Sequence, residues 1–163
     1  MAQHPFKIDP HLLPIEGQPL TGTQPASFFE LAANDPIQCT SPLTYDLNVL
    51  RDEDTVIFTG HLSAEFEFEC GRCLGRFRYL ADSPEYKGEM TIETIGEIMD
   101  LTDSIREDIL LSLPSYPRCE DGNVLLRECP AQGRFNAASD SASGSTASQD
   151  AGVWDVLDQF KKS

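Results

Sequence analysis

Cys70 and Cys73 lie in E-C-G-R-C-L-G-R-F, residues 69–77, and a C-x-x-C pair on a tight turn presents two sulfurs on one side, half of a tetrahedral thiolate site. The other half would have to come from Cys119 and Cys129, which nine residues separate, too far apart for an ordinary zinc knuckle. Three chemistries are open on the residues. All four cysteines can ligate zinc; Cys70 and Cys73 can form a reversible dithiol; or both can be small apolar residues at facing positions of a β-hairpin. A dithiol needs a lowered thiol pKa, usually at a helix N-terminus, whereas this pair lies between strands. Cys39, alone in P-I-Q-C-T-S-P, is expected to be a bystander.

Cations and aromatics interleave next to the pair, as Arg72, Arg76, Phe77, Arg78 and Tyr79, a combination found where proteins contact RNA. Arg72 has no assigned partner and is the candidate binding residue at the turn. No glycine-rich phosphate loop and no G-x-S-x-G occurs, and His4, His11 and His61 are scattered. His61 falls on the polar face of a strand, where a solvated histidine is expected. The abundant carboxylates read as a solvated acidic face, so the sequence presents no active site and no small-molecule substrate site.

The elements that must position these residues show in the hydrophobic period. Leu43, Tyr45, Leu47 and Val49 alternate with polar residues; after the polar turn Arg51–Asp54, the positions Phe58, Gly60, Leu62, Ala64, Phe66, Phe68 and Cys70 share one face. Period two of this length is a strand signature. With Gly71 and Arg72 as a two-residue type II′ turn, Gly71 taking the positive φ, Cys70 falls opposite Cys73, Phe66 opposite Phe77 and Ala64 opposite Tyr79. Glu67 then faces Arg76 and Glu65 faces Arg78, each pair worth roughly 0.2–1 kcal/mol. A further run, Tyr86, Gly88, Met90 and Ile92, extends the meander after a break at Ser83-Pro84.

Past Gly96 the period becomes helical. Leu101, Ile105, Ile109, Leu110 and Leu113 recur on one stripe, with Thr102 as N-cap, Asp103 in the first turn and Pro114 as terminator. The predicted fold class is therefore α+β: an antiparallel β-meander sheet or open barrel of four to five strands, one packed amphipathic helix and a short C-terminal helix. Residues 1–42 carry seven prolines and are expected to be irregular, packing on the domain, with a short edge strand at Phe6–Ile8 and one helical turn at 27–32. The sheet, helix and cysteines occupy 43–135. Residues 136–150, N-A-A-S-D-S-A-S-G-S-T-A-S-Q-D, lack core formers and read as a flexible linker. Val153, Trp154, Leu157 and Phe160 then give 151–163 the stripe of a short amphipathic helix; Trp154 is its candidate binding residue, and the helix either docks on a partner or folds back.

Charge narrows the partners. Twelve Lys and Arg stand against 27 Asp and Glu, a formal net charge of -15, which repels nucleic acid in bulk and attracts basic proteins. No run reaches the ~18 apolar residues of a membrane helix, no charged leader precedes an apolar segment, and five cysteines make no secreted disulfide pattern, so a cytoplasmic, membrane-free location is expected.

The motifs combine into a resemblance. Cys70-Gly71-Arg72-Cys73-Leu74, Asp100-Leu101, the Glu107–Leu113 helix and Leu113-Pro114-Ser115-Tyr116-Pro117-Arg118-Cys119 follow one another as in the bacterial family of large ribosomal RNA subunit accumulation proteins, called YceD, which the chain resembles over roughly residues 40–130. The resemblance implies a non-enzymatic role in accumulation or processing of 23S rRNA, and a metal-binding cysteine cluster. Together with the charge, it points to contact with a ribosomal protein or a large-subunit assembly intermediate. A zinc-stabilised RNA-binding module centred on Arg72 and a thiol redox protein remain the alternatives.

Overall fold

The computed structural model describes residues 5–133 apart from residue 95; the expectations placed on 136–150, on 151–163 and on Trp154 fall outside these residues. The chain divides into a compact unit at Met1–Pro130 and a second at Ala131–Ser163, and the first carries the elements below. In chain order these are β1 (Lys7–Ile8), β2 (Gln18–Gln24), a 3-10 turn (Ala26–Phe29), β3 (Ile37–Cys39), β4 (Leu43–Asp52), β5 (Thr55–Glu69), β6 (Arg76–Thr91), β7 (Met99–Asp100), α1 (Thr102–Ser112) and a 3-10 turn at Cys119–Asp121.

Five strands make one antiparallel sheet of an α+β fold. The 15-residue β5 is its spine. One edge of β5 pairs first with β4, from Thr55 to Ser63, and then with β3, from Phe66 to Phe68; the other edge pairs with β6 along its length. Strand β2 pairs with the outer edge of β4, and β1 with β7 form a separate two-stranded ribbon. The alternation seen in the sequence is the burial pattern: Leu43, Tyr45, Leu47 and Val49 from β4 and Val56, Phe58, Leu62, Ala64, Phe66 and Phe68 from β5 are all buried.

Three local expectations are corrected. Strand β6 does not break at Ser83-Pro84 but continues through it, because Gly60 pairs with Tyr86 while Leu62 pairs with Ser83. His61 thus faces two residues, Pro84 and Glu85, in a β-bulge. The inserted residue flips the parity, so Phe77 and Ala81 are buried at odd numbers before it and Gly88 at an even number after it. That flip mimics two strands. Within the proline-rich 1–42 segment, β2 is a full seven-residue strand. Pro19 is tolerated there because β2 is an edge, where one face of the ladder needs no N–H. Thr102 is not the N-cap of α1; Leu101 occupies that position, and the Asp100 carboxylate accepts the Thr102 N–H at 3.0 Å.

Helix α1 closes the core. Leu101, Ile105, Ile109 and Leu113 are buried, while Leu110 is half-buried. Arg106 donates to the Phe28 carbonyl at 2.7 Å and stacks 5.4 Å from its ring centroid, tying the helix to the Ala26–Phe29 turn. Phe29 meets Phe66 edge-on at 5.0 Å, and Phe6 lies 4.8 Å from Tyr45. Each such buried ring contributes roughly 1.5–3 kcal/mol. On the far side, the Tyr86 hydroxyl donates to Asp108 at 2.6 Å; burial and then the carboxylate hold that phenol protonated.

Candidate metal centre

The β5–β6 connection is wider than a two-residue turn. Glu69 pairs with Arg76, Phe68 with Phe77, Phe66 with Tyr79 and Ala64 with Ala81, a register two residues beyond the expected one. Residues 70–75 form the loop, closed by the Cys70 N–H on the Gly75 carbonyl and the Leu74 N–H on the Cys70 carbonyl, both 2.9 Å. The positive φ belongs to Leu74, at 57°, and not to Gly71. A shift of two preserves the faces, so Phe66 and Phe77 remain on the same buried side. The ion pairs survive as diagonals, Arg76 to Glu67 at 2.7 Å and Arg78 to Glu65 at 2.6 Å, because long side chains span that offset. The wider loop releases Cys73 from the ladder, and its sulfur can turn to the same side as that of Cys70.

The second cysteine pair is returned to the loop by side chains. Beyond α1 the Pro117 carbonyl accepts the Gly71 N–H at 2.9 Å, and Cys119 opens a 3-10 turn in which the Asp121 carboxylate accepts the Arg118 N–H at 2.8 Å. Asn123 then brackets Leu80 of β6: its Oδ1 accepts the Leu80 N–H at 2.6 Å and its Nδ2 donates to the Leu80 carbonyl at 2.9 Å. Arg127 donates to the Arg76 carbonyl at 2.7 Å. From Leu80 to Arg76 the segment therefore runs along the outer edge of β6, back towards the loop, and delivers Cys129. This explains how a nine-residue spacing closes a site.

All four cysteine sulfurs lie within 4.8 Å of one another. Cys73 and Cys119 are 3.6 Å apart, Cys70 and Cys129 3.9 Å. Tetrahedral ligands at ~2.3 Å from a metal stand about 3.8 Å from each other, whereas a disulfide would need ~2.05 Å. The cysteines are free thiols, three buried and Cys73 half-buried. Burial raises the Cys70 pKa, but the backbone N–H groups of Cys73, Arg72 and Cys119 outweigh it and bring the thiol down to about 6. The Arg72 N–H is 3.5 Å from that sulfur. Burial, then the thiols of Cys73 and Cys70, push Cys119 up to about 12. Backbone N–H groups thus favour the thiolate at Cys70 while burial and the neighbouring thiols favour the protonated form at Cys119, and a dication would take the place of the cluster's protons. Cys70, Cys73, Cys119 and Cys129 can hold a metal ion, and the donor set is that of a soft, closed, structural site.

The other candidates are placed apart from this cluster. Cys39 is half-buried, its thiol donating to the Ser41 carbonyl at 3.1 Å, and burial pushes its pKa up. Arg72 is not free at the turn: its guanidinium binds Glu120 at 2.7 Å, a contact across 48 residues that no local pattern announces. His61 pairs with Asp82 on the solvent face. Tyr79 is half-buried, edge-on to Phe68 at 5.8 Å. The sequence had no signal for Asn123 or Arg127, whose roles exist only once β6 has an exposed edge to bind. Among the described residues no helix is long and apolar enough to cross a membrane.

Comparison of the chain with protein-family models, with curated proteins and with solved structures returns no match.

Proposed function

We propose that this chain is a non-enzymatic accessory factor in large ribosomal subunit biogenesis, promoting 23S rRNA accumulation through a basic ribosomal protein or an assembly intermediate, with zinc as a structural ion at its cysteine cluster. The observation that carries the zinc assignment is the convergence of four sulfurs, two from each cysteine segment, within 4.8 Å of one another, two of the separations, 3.6 and 3.9 Å, lying on either side of a tetrahedral edge. The net charge of -15 supports a basic partner. Zinc there would cross-link the β5–β6 loop to the segment after α1; the protein's own residues supply the closed thiolate cage and the Arg72 N–H that orients Cys70.

Metal analysis of protein purified without chelator tests the first half, with one zinc per chain expected and a substoichiometric value overturning it. Affinity capture from bacterial cells, with ribosomal proteins and 23S rRNA followed through a salt titration, tests the second. A large-subunit component is expected at low salt and lost as screening rises. Recovery of none at low salt would end the reading. An RNA-binding module centred on Arg72 is less favoured, since Glu120 already neutralises that cation. A redox role for Cys70 with Cys73 is less favoured too, since the 3.6 and 3.9 Å sulfur contacts each join one loop cysteine to one from the later segment.

A further inference from the structure

The segment between the two later cysteines carries three consecutive apolar residues, Val124, Leu125 and Leu126, all exposed, the two leucines at 72% and 90%. A loop that only had to close the metal site would be polar there, and a run of exposed apolar residues is a defect unless it binds something. It is also fastened in place. Asn123 on Leu80 and Arg127 on Arg76 pin the run at both ends against β6, and Leu80 itself is exposed at one end. At the other end Leu74, the neighbour of Gly75, is 70% exposed, and a Cβ on Gly75 would strike the Arg127 guanidinium, so the two segments touch there.

Leu74 is the second, independent sign. Its φ of 57° lies in the left-handed region, where glycine or asparagine would be relaxed and a leucine is strained. Burial gives no reason for a leucine in that conformation. Leu80, Val124, Leu125, Leu126 and Leu74 are thus exposed apolar residues set out along the outer edge of β6, a stripe that begins where Asn123 is tethered and ends in the loop that carries Cys70 and Cys73.

We infer that this stripe is a docking surface for a cationic protein segment bearing apolar anchors. Three of the four neighbouring arginines are engaged by carboxylates, Arg72 by Glu120, Arg76 by Glu67 and Arg78 by Glu65, while the fourth, Arg127, donates to the Arg76 carbonyl, so a polyanion finds none of the first three free. Glu128, exposed, adds a carboxylate beside the stripe, in a chain of net charge -15 that draws cationic partners. Apolar contacts would supply affinity and the chain's net negative charge selection. The choice of a ribosomal probe rests on the accessory-factor proposal above.

The test uses the full metal-loaded chain and individually purified basic proteins of the large ribosomal subunit, with binding read by titration calorimetry. The variants are the double substitution Leu125→Ser, Leu126→Ser and, from the other segment, Leu74→Asn, which suits the left-handed backbone. Both should keep metal content; the double variant should also keep its melting temperature, since the replaced side chains are exposed, and Leu74→Asn should match or exceed it by relieving the left-handed strain. The wild-type chain is expected to bind at least one protein, with affinity falling about tenfold or more in the double variant and less steeply in Leu74→Asn. Equal binding by wild type and both variants overturns the docking surface while leaving the accessory-factor reading intact. Capture of 23S rRNA but of no protein overturns it in favour of RNA, and a wild-type dimer that the stripe variants dissociate overturns it in favour of a second copy. No binding of any kind removes both the surface and the reading it rests on.

Discussion

Cys70 and Cys119 occupy the same cluster with opposite proton affinities. Backbone N–H groups hold the Cys70 thiol near 6, while burial beside other thiols pushes Cys119 to about 12. In metal-free, reduced protein, one thiolate equivalent is expected to titrate near pH 6 by ultraviolet absorbance, against ~8.5 for a free thiol. The sign follows: a thiol pKa depressed by folding stabilises the folded state above the unfolded value, and that contribution is lost as pH falls through about 6. Metal binding adds to the trend, because ligands must shed protons; metal retention should drop as the solution is acidified, and a retention flat from pH 8 to 5 would contradict the site. Cys119→Ser or Cys73→Ser should remove one donor and bring metal content well below one per chain, whereas Cys39→Ser should leave it unchanged.

Among the elements, the long β5–β6 ribbon carries the site at its tip, and its twist is set at the bulge. Gly60, with φ of 150°, sits beside that bulge, and a Cβ there would strike the Asp46 carbonyl oxygen of β4. Backbone cannot step aside as a side chain can. Gly60→Ala is expected to destabilise the unit by about 2 kcal/mol or more, measured by denaturant unfolding. The α1 contact is more forgiving: Tyr86→Phe loses the hydrogen bond to Asp108 but keeps the ring, and about 1 kcal/mol is expected on the same measurement.

At the scale of the whole molecule, the aromatic core and a metal-loaded cysteine cluster would stabilise different parts. Phe58, Phe66 and Phe68 are buried within the sheet and need no metal. Residues 114–130 contain one short 3-10 turn and are held by Asn123 and Arg127 and by the Gly71–Pro117 bond, to which a metal at the cluster would add a further tie. Chelation should therefore raise hydrogen exchange in 114–130 and in the 70–75 loop while leaving the centre of β5 protected. Global loss of protection on chelation would show instead that the metal supports the entire unit.

Period-two alternation from Leu43 to Cys70 already determined the two strands and their buried face, because side-chain direction alternates whatever the partner. Helical spacing from Leu101 to Leu113 did the same for α1, and C-x-x-C marked half of the cysteine site, with Cys119 and Cys129 named as the other half but with no route to it. Tertiary structure alone decided the rest. The bulge at His61 reads locally as a break; the register at the tip slipped by two without disturbing any face; and Pro19 could join a strand only because β4 offered it an edge. Cys129 and Glu120 reach the loop through contacts dozens of residues away, and such closures depend on where β6 leaves its backbone open, which no window of sequence contains.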